Sequence, residues 1–243
     1  PPPLPVAPAP PPAAVGIVRG GEGRVVAAPA AAAAAPGGDG QELLGETKKK
    51  QPSKLQQFHY IKYNKPRGIT STTDLRQKDN IIKALGPGLR EACGGDRVYP
   101  VGRLDKDTSG LILLTSDGRL PDRLGRQQAK KDKVYLVTVE RPIDDSALKQ
   151  MAQGVIITTK VQRDRGDREV TAPTRPCRVA RLGARRYRVV LQEGRNRQVR
   201  KMAEAVGHRV VLLHRSAYAG IRLGDLAEGH WQPLTEEELA LIL

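Results

Sequence analysis

Aromatic residues make up only 3% of this 243-residue chain, with one Trp and one Phe. A nucleic-acid surface built as a platform of stacked rings is therefore disfavoured, and any such contact must rest mainly on Arg and Lys. Cysteine is almost absent too: Cys93 and Cys177 stand alone, with no CxxC pair and no His nearby at metal-ligand spacing. Neither a disulfide framework nor a structural zinc is expected, and a reducing compartment is the simple reading. No window approaches the roughly 18 consecutive apolar residues of a membrane span. Nor does any basic helix carry the Trp-, Phe- and Leu-rich opposite face of an interfacial anchor.

Positive charge is what the chain has in abundance. Lys and Arg number 41 against 26 Asp and Glu, for a formal net charge of +15 and a pI near 10.1. A field of that sign gathers polyanions, so RNA, DNA or anionic lipid is the expected class of partner, lipid being the weakest of the three. The charge does not come from the start of the chain. Up to residue 47 the only charged side chains are Arg19, Arg24, Glu22, Asp39, Glu42 and Glu46, among Pro, Ala and Gly runs such as Pro10–Pro12 and Ala30–Ala35. With few large apolar side chains to offset chain entropy, this segment is expected to be disordered. The basic run Lys48-Lys49-Lys50 and Lys54 extends it to residue 57, as a solvated linker or an extra phosphate contact. The extension reads either as an organelle targeting remnant, poor in acids near its start but lacking Ser and Arg richness, or as low-complexity sequence with no address.

A folded domain is expected over 58–243. Strand-like segments rich in Val, Ile, Leu or Tyr occur at His59–Asn64, Leu111–Thr115, Val134–Val139, Arg186–Gln192 and Arg209–Leu213. Asp144 can cap a helix running to Gln153 and ended by Gly154, with Leu148 and Met151 or Ala152 inward. Thr235-Glu236-Glu237-Glu238 is a capping box opening a final helix. With no dominant βαβ alternation and no internal repeat, the expected class is α+β around a mixed sheet.

Two constellations carry candidate chemistry. Between Tyr99 and Gly118, a polar loop with Arg103, Asp105 and Asp107 lies between two apolar segments, a placement that holds a carboxylate rigidly yet open to a ligand. An Asx-turn is the plain alternative for either Asp. In Glu193–Gly207 a strand ends, Gly194 permits a sharp turn, and a helix is expected from about Asn196 to Val206. Val199, Met202, Ala203 and Val206 form its inward stripe. Arg197, Arg200 and Lys201 lie off that stripe and Arg195 precedes the first turn; with the helix-start N–H groups they suit an anion site.

Taken together, these segments resemble pseudouridine synthases of the RsuA-like group. Gly102-Arg103-Leu104-Asp105 with Thr108-Ser109-Gly110-Leu111 is similar to the catalytic-Asp motif, and Glu193-Gly194-Arg195-Asn196-Arg197-Gln198-Val199-Arg200 to the third motif. Asn64-Lys65-Pro66-Arg67-Gly68 resembles the first motif and Lys133-Val134-Tyr135 the Lys-x-Tyr motif, and the stretch from Leu213-His214-Arg215 to Gly229-His230-Trp231 also matches. The resemblance runs from about His59 to Leu243 and implies a mixed, mainly antiparallel central sheet with flanking helices. It further implies isomerisation of a uridine to pseudouridine in RNA, most directly large-subunit ribosomal RNA within assembly intermediates, by a monomer without cofactor, metal or membrane.

Asp105 would supply the essential carboxylate, as nucleophile or as base. Arg195 would stand against it, since a cation within about 4–6 Å favours an ionised Asp. Tyr135 would lie against the uracil, Leu213 would pack the pocket, and Arg103 would fill the gap left by the flipped base. Lys133, Arg197, Arg200 and Lys201 would contact the RNA, the last three through phosphates. Lys65–Gly68 is expected to be a structural turn. Many members begin with a small RNA-binding module, which residues 1–57 do not resemble, and Ser109 stands where Glu is frequent. The expected compartment is an organelle (chloroplast or mitochondrion) of a photosynthetic eukaryote, with the bacterial cytoplasm as alternative. A non-catalytic RNA-binding protein that keeps the fold is the rival reading.

Overall fold

A computed structural model describes residues 58–125, 131–163 and 166–243. The expectation of a disordered extension lies outside these residues. In chain order the elements are β1 (Tyr60–Lys65), α1 (Ile81–Leu85), α2 (Pro87–Ala92), β2 (Tyr99–Pro100), β3 (Ser109–Thr115), α3 (Arg119–Gly125), β4 (Lys133–Val139) and α4 (Asp145–Gln153). There follow β5 (Ile156–Arg163), β6 (Gly166–Pro173), β7 (Arg178–Gly183), β8 (Arg186–Leu191), α5 (Gln198–Ala205), β9 (Val210–Tyr218), β10 (Ile221–Arg222), β11 (Trp231–Pro233) and α6 (Glu236–Ala240).

The main sheet has the order β11-β1-β3-β9-β4-β8-β7, with β2 pairing β3 and β10 pairing β9. Every pairing is antiparallel except the central join of β3 to β9, where Ser109 faces His214 and Gly110 faces Arg215. The expected mixed, mainly antiparallel sheet with flanking helices is therefore what the chain forms. The central join needs glycine. Gly110 has φ +104, and a Cβ there would lie 2.4 Å from the Arg215 carbonyl oxygen.

All five expected strands are present, β9 continuing to Tyr218 rather than ending at Leu213. The β5–β6 hairpin, a separate two-stranded sheet, and β7 were not foreseen. Residues 168–171 of β6 are all exposed, and β7 buries no residue fully, so neither strand shows the alternation from which a strand is read.

Helix ends follow local chemistry. The Asp144 carboxylate accepts from Ala147 N at 2.7 Å, and α4 stops at Gly154, whose added Cβ would meet the Thr174 carbonyl oxygen at 2.4 Å. Its inward residues are Ala147, Leu148 and Met151. Thr235 and Glu238 form the expected reciprocal box at α6, and Glu238 also takes an ion pair from Lys62 of β1 at 2.6 Å.

Three apolar clusters flank the sheet. One lies beneath α4 and α5, with Val137, Met151, Tyr187 and Met202. A second joins Leu111 and Leu113 to Tyr218 and Ile221, and a third packs β1 and β3 against α1 and α2. Each buried Leu, Ile, Val or Met contributes about 1.5–3 kcal/mol relative to exposure, so these clusters hold the loops at the sheet centre in place. Among the described residues no helix is long and apolar enough to cross a membrane.

Candidate active site

The loop between β2 and β3 reaches the sheet centre carrying Asp105 and Asp107. Thr108 N donates to the Asp105 carbonyl at 3.1 Å, closing the turn through the backbone and leaving the Asp105 carboxylate for other partners. Its Oδ2 lies 3.6 Å from Arg197 Nη1. Arg197 also reaches Asp107 Oδ2 at 3.2 Å, so one guanidinium spans both carboxylates. Burial opposes ionisation of Asp107, but the Arg197 hydrogen bonds and the Arg200 charge outweigh it and hold this carboxyl below the usual range.

The backbone explains the choice of arginine. Arg197 is the N-cap of α5 and sits in the left-handed region at φ 52, rare for a residue with a side chain. Gly194, expected to make the turn, has no positive φ; its open side instead lies beside Lys133, 3.6 Å from Cε to where a Cβ would be. Arg195 points elsewhere, donating to the carbonyls of Ala172 at 3.1 Å and Pro173 at 2.7 Å and pairing with Glu193 at 3.2 Å. The expected pairing of Arg195 with Asp105 is thus corrected: Arg197 holds that position, while Arg195 ties the loop before α5 to the end of β6.

One of the expected phosphate contacts also changes. Arg200 is 7% exposed and does not lie off the inward stripe. It donates to the Asp107 carbonyl at 3.1 Å and the Val210 carbonyl at 3.3 Å and pairs with the Asp107 carboxylate at 3.1 Å, so it clamps the Asp loop to α5 and β9. Lys201 donates to the Thr158 carbonyl and holds β5. Charge alone could not separate these roles, because a helix seam that buries a cation against a carboxylate leaves no mark in hydrophobic periodicity.

Arg103, Asp105, Lys133, Tyr135, Arg195 and Leu213 line one cleft of about 520 Å³, together with Arg197. Arg200 and Lys201 are not on its walls. Arg103 is exposed, Lys133 and Tyr135 are half-buried, and Leu213 is buried. The cleft also includes Arg215 and Tyr218 of β9, which sequence reasoning did not single out, although Arg215 stood within a matching stretch. Lys65, read as part of a structural turn, is fully buried and donates to the carbonyls of Pro66 and Ile69, both at 2.8 Å; burial lowers its pKa to about 8. Ser109 Oγ meets His214 Nδ1 at 3.0 Å across the parallel join. Among the described residues no group of three or more His, Cys, Asp or Glu could hold a metal ion.

A partly exposed carboxylate held by arginine thus shares its cleft with Tyr135, in a strongly basic chain. The model of the RNA pseudouridylate synthase family matches residues 59–205, more than half of the chain. The dual-specificity RNA pseudouridine synthase RluF of Shigella flexneri is 35% identical over 189 residues, which cover 78% of this chain and 59% of that protein. Ribosomal small subunit pseudouridine synthase A of Escherichia coli (strain K12) is 35% identical over 185 residues, covering 76% and 74%. A crystal structure of a pseudouridylate synthase matches with a TM-score of 0.64 at 30% identity, over 76% of this chain and 74% of that one. The chain belongs to the RNA pseudouridylate synthase family and is RsuA-like. It spans about 59% of the length of the RluF relatives that it matches.

Proposed function

We propose that this chain isomerises a uridine of ribosomal RNA to pseudouridine, with Asp105 as the reacting carboxylate. The observation that carries the reading is the placement of Asp105: open to the cleft at 31% side-chain exposure, held by Arg197 at 3.6 Å, in the same cleft as Tyr135. The base enters by flipping out of the RNA, at a cost of a few kcal/mol, and the exposed Arg103 at the rim takes its place in the stack. Tyr135 lies against the uracil and Leu213 closes the pocket. When the N1–C1′ bond breaks, its electron pair stays with the uracil. Asp105 either bonds to C1′ or takes a ribose proton. The turned base then bonds to C1′ through carbon 5, as the Asp105–C1′ bond breaks or the ribose regains the proton Asp105 took. The proton on carbon 5 leaves and N1 takes up a proton, so the product is an isomer. Arg197 keeps the carboxylate aimed, the role expected of Arg195.

The substrate is proposed as rRNA in assembly intermediates and the acting form as a monomer. The resemblance favours the large subunit, whereas one relative is named for the small subunit, so mapping pseudouridines in both rRNAs with and without the protein decides between them. The bacterial sources of the relatives fit the bacterial cytoplasm as the compartment. Asp105→Asn is expected to abolish tritium release from uridine labelled at carbon 5 while RNA binding persists. Undiminished release by the variant overturns the assignment.

A further inference from the structure

We infer that Lys133 and Arg215 form a seat on the cleft floor for the carbonyl oxygens of the uracil, where the base carries the negative charge it gains as its glycosidic bond breaks. This rests on the proposed isomerase reading and goes beyond it, because it assigns the groups that meet the leaving base.

Strand register carries the argument. In the antiparallel pairing of β4 with β9, Lys133 faces Tyr218 and Tyr135 faces Arg215. Directly opposed residues hold their Cβ atoms roughly 4.5–5.5 Å apart, and residues two apart on a strand share a face. The register shifts between Val134 and Tyr135, a bulge that brings Arg215 rather than Ser216 opposite Tyr135. Bulges re-aim side chains in this way beside active sites. The residue proposed to lie against the uracil therefore has a cation directly across from it and another two positions along its own strand.

Neither cation lies within ion-pair distance of a described carboxylate, although the charge of Asp132, next in the chain, acts on Lys133. Lys133 Nζ is 5.5 Å and Arg215 Cζ 4.9 Å from the centroid of the Tyr218 ring. Arg215 is 3% exposed; its Nε donates to the Leu111 carbonyl at 2.7 Å, while Nη2 is buried without a hydrogen-bond partner. Among the described residues neither side chain forms an ion pair, and the nearby loop carboxylates are engaged by Arg197 and Arg200. Burial, and then the charge of Arg215, push the Lys133 ammonium below the usual lysine range. Two desolvated cations and an unmet donor are costly unless negative charge arrives between them.

A backbone phosphate is the other source of such charge. It must stay on the continuous ribose–phosphate chain near the mouth, where Arg103 and Arg197 are exposed. The flipped base is the part of the RNA that reaches the floor. As the N1–C1′ electron pair passes to the ring, charge spreads over N1 and the two carbonyl oxygens, and donors fixed in advance at those oxygens favour that state over the neutral base.

The test compares the wild-type chain with Lys133→Met and Lys133→Arg. It measures the single-turnover rate of pseudouridine formation at saturating RNA, the RNA affinity with its salt dependence, and thermal melting. Lys133→Met is expected to lower the saturated rate ~100-fold, with Lys133→Arg recovering most of it. Affinity should change by less than about threefold and its salt slope should hold. Arg215→Lys, which keeps a buried cation, is expected to slow the same step, and gives a second reading if Lys133→Met fails to fold. An unchanged saturated rate in active, folded variants overturns the seat while leaving the isomerase reading intact. Loss of affinity with a shallower salt slope at an unchanged saturated rate also overturns it, and places a phosphate there. A wild-type chain that binds RNA yet makes no pseudouridine removes the isomerase reading, and the seat with it.

Discussion

Gly110 shows how much one residue decides at the centre of this sheet. Its positive φ and the 2.4 Å approach of the Arg215 carbonyl leave no room for a side chain. Gly110→Ala is expected to destabilise the fold by about 3 kcal/mol or more, since left-handed strain and a backbone clash add together. Urea unfolding measures this, and a shift of the midpoint within error of wild type refutes it. Arg197 is the converse case, a side-chain-bearing residue in the left-handed region at φ 52. A single non-glycine residue in that region costs roughly 1–2 kcal/mol. Here the strain is offset where the guanidinium spans Asp105 and Asp107. Glu-Gly-Arg-Asn-Arg offers two arginines two residues apart, and nothing in their spacing says which turns toward the loop. Backbone conformation makes that choice.

At the scale of elements, legibility followed local chemistry. The Asp144 cap, the Gly154 stop and the Thr235–Glu238 box each act within one turn, so each could be read directly. The β5–β6 hairpin could not, because its support comes from afar: Lys201 of α5 holds the Thr158 carbonyl, and Arg195 holds the carbonyls of Ala172 and Pro173. Glu238 has a second task that the capping box conceals, as Lys62 of β1 pairs with it at side-chain exposures of 8% and 17%. Removing one partner of a buried pair typically costs about 3–5 kcal/mol, and the partial exposure of Glu238 places Lys62→Met near or below the lower end. Lys62→Met with Glu238→Gln, which keeps the cap acceptor and removes the stranded charge, should recover much of the loss. Thermal melts of the two single variants and the double test this; strictly additive effects would show that the pair is uncoupled.

For the whole molecule, the net charge of +15 predicts RNA affinity that falls steeply with salt. The cations that set the slope are those left free at the surface. Arg103→Ala is therefore expected to lower the slope of log affinity against log salt by about one, while Arg200→Met leaves it unchanged. Arg200→Met should instead loosen the Asp107 loop and reduce activity. Salt titrations of binding separate the two, and a slope lowered by Arg200→Met would return that side chain to the phosphate-binding surface.

The sequence by itself determined the α+β class, the main strands and the caps, and its resemblance to the RsuA-like group pointed to Asp105, Tyr135 and Leu213, which line one cleft. Those features rest on periodicity, on side-chain-to-backbone chemistry within a turn, and on motifs a few residues long. Only the tertiary structure decided which cations face the cleft and which lock the scaffold. A charge shows in sequence as a charge, but whether it meets solvent, a carboxylate or a bare carbonyl depends on what the sheet brings against it. So Arg200 is withdrawn into a seam, Arg197 takes the place expected of Arg195, and the bulge in β4–β9 pairing sets Arg215 across from Tyr135.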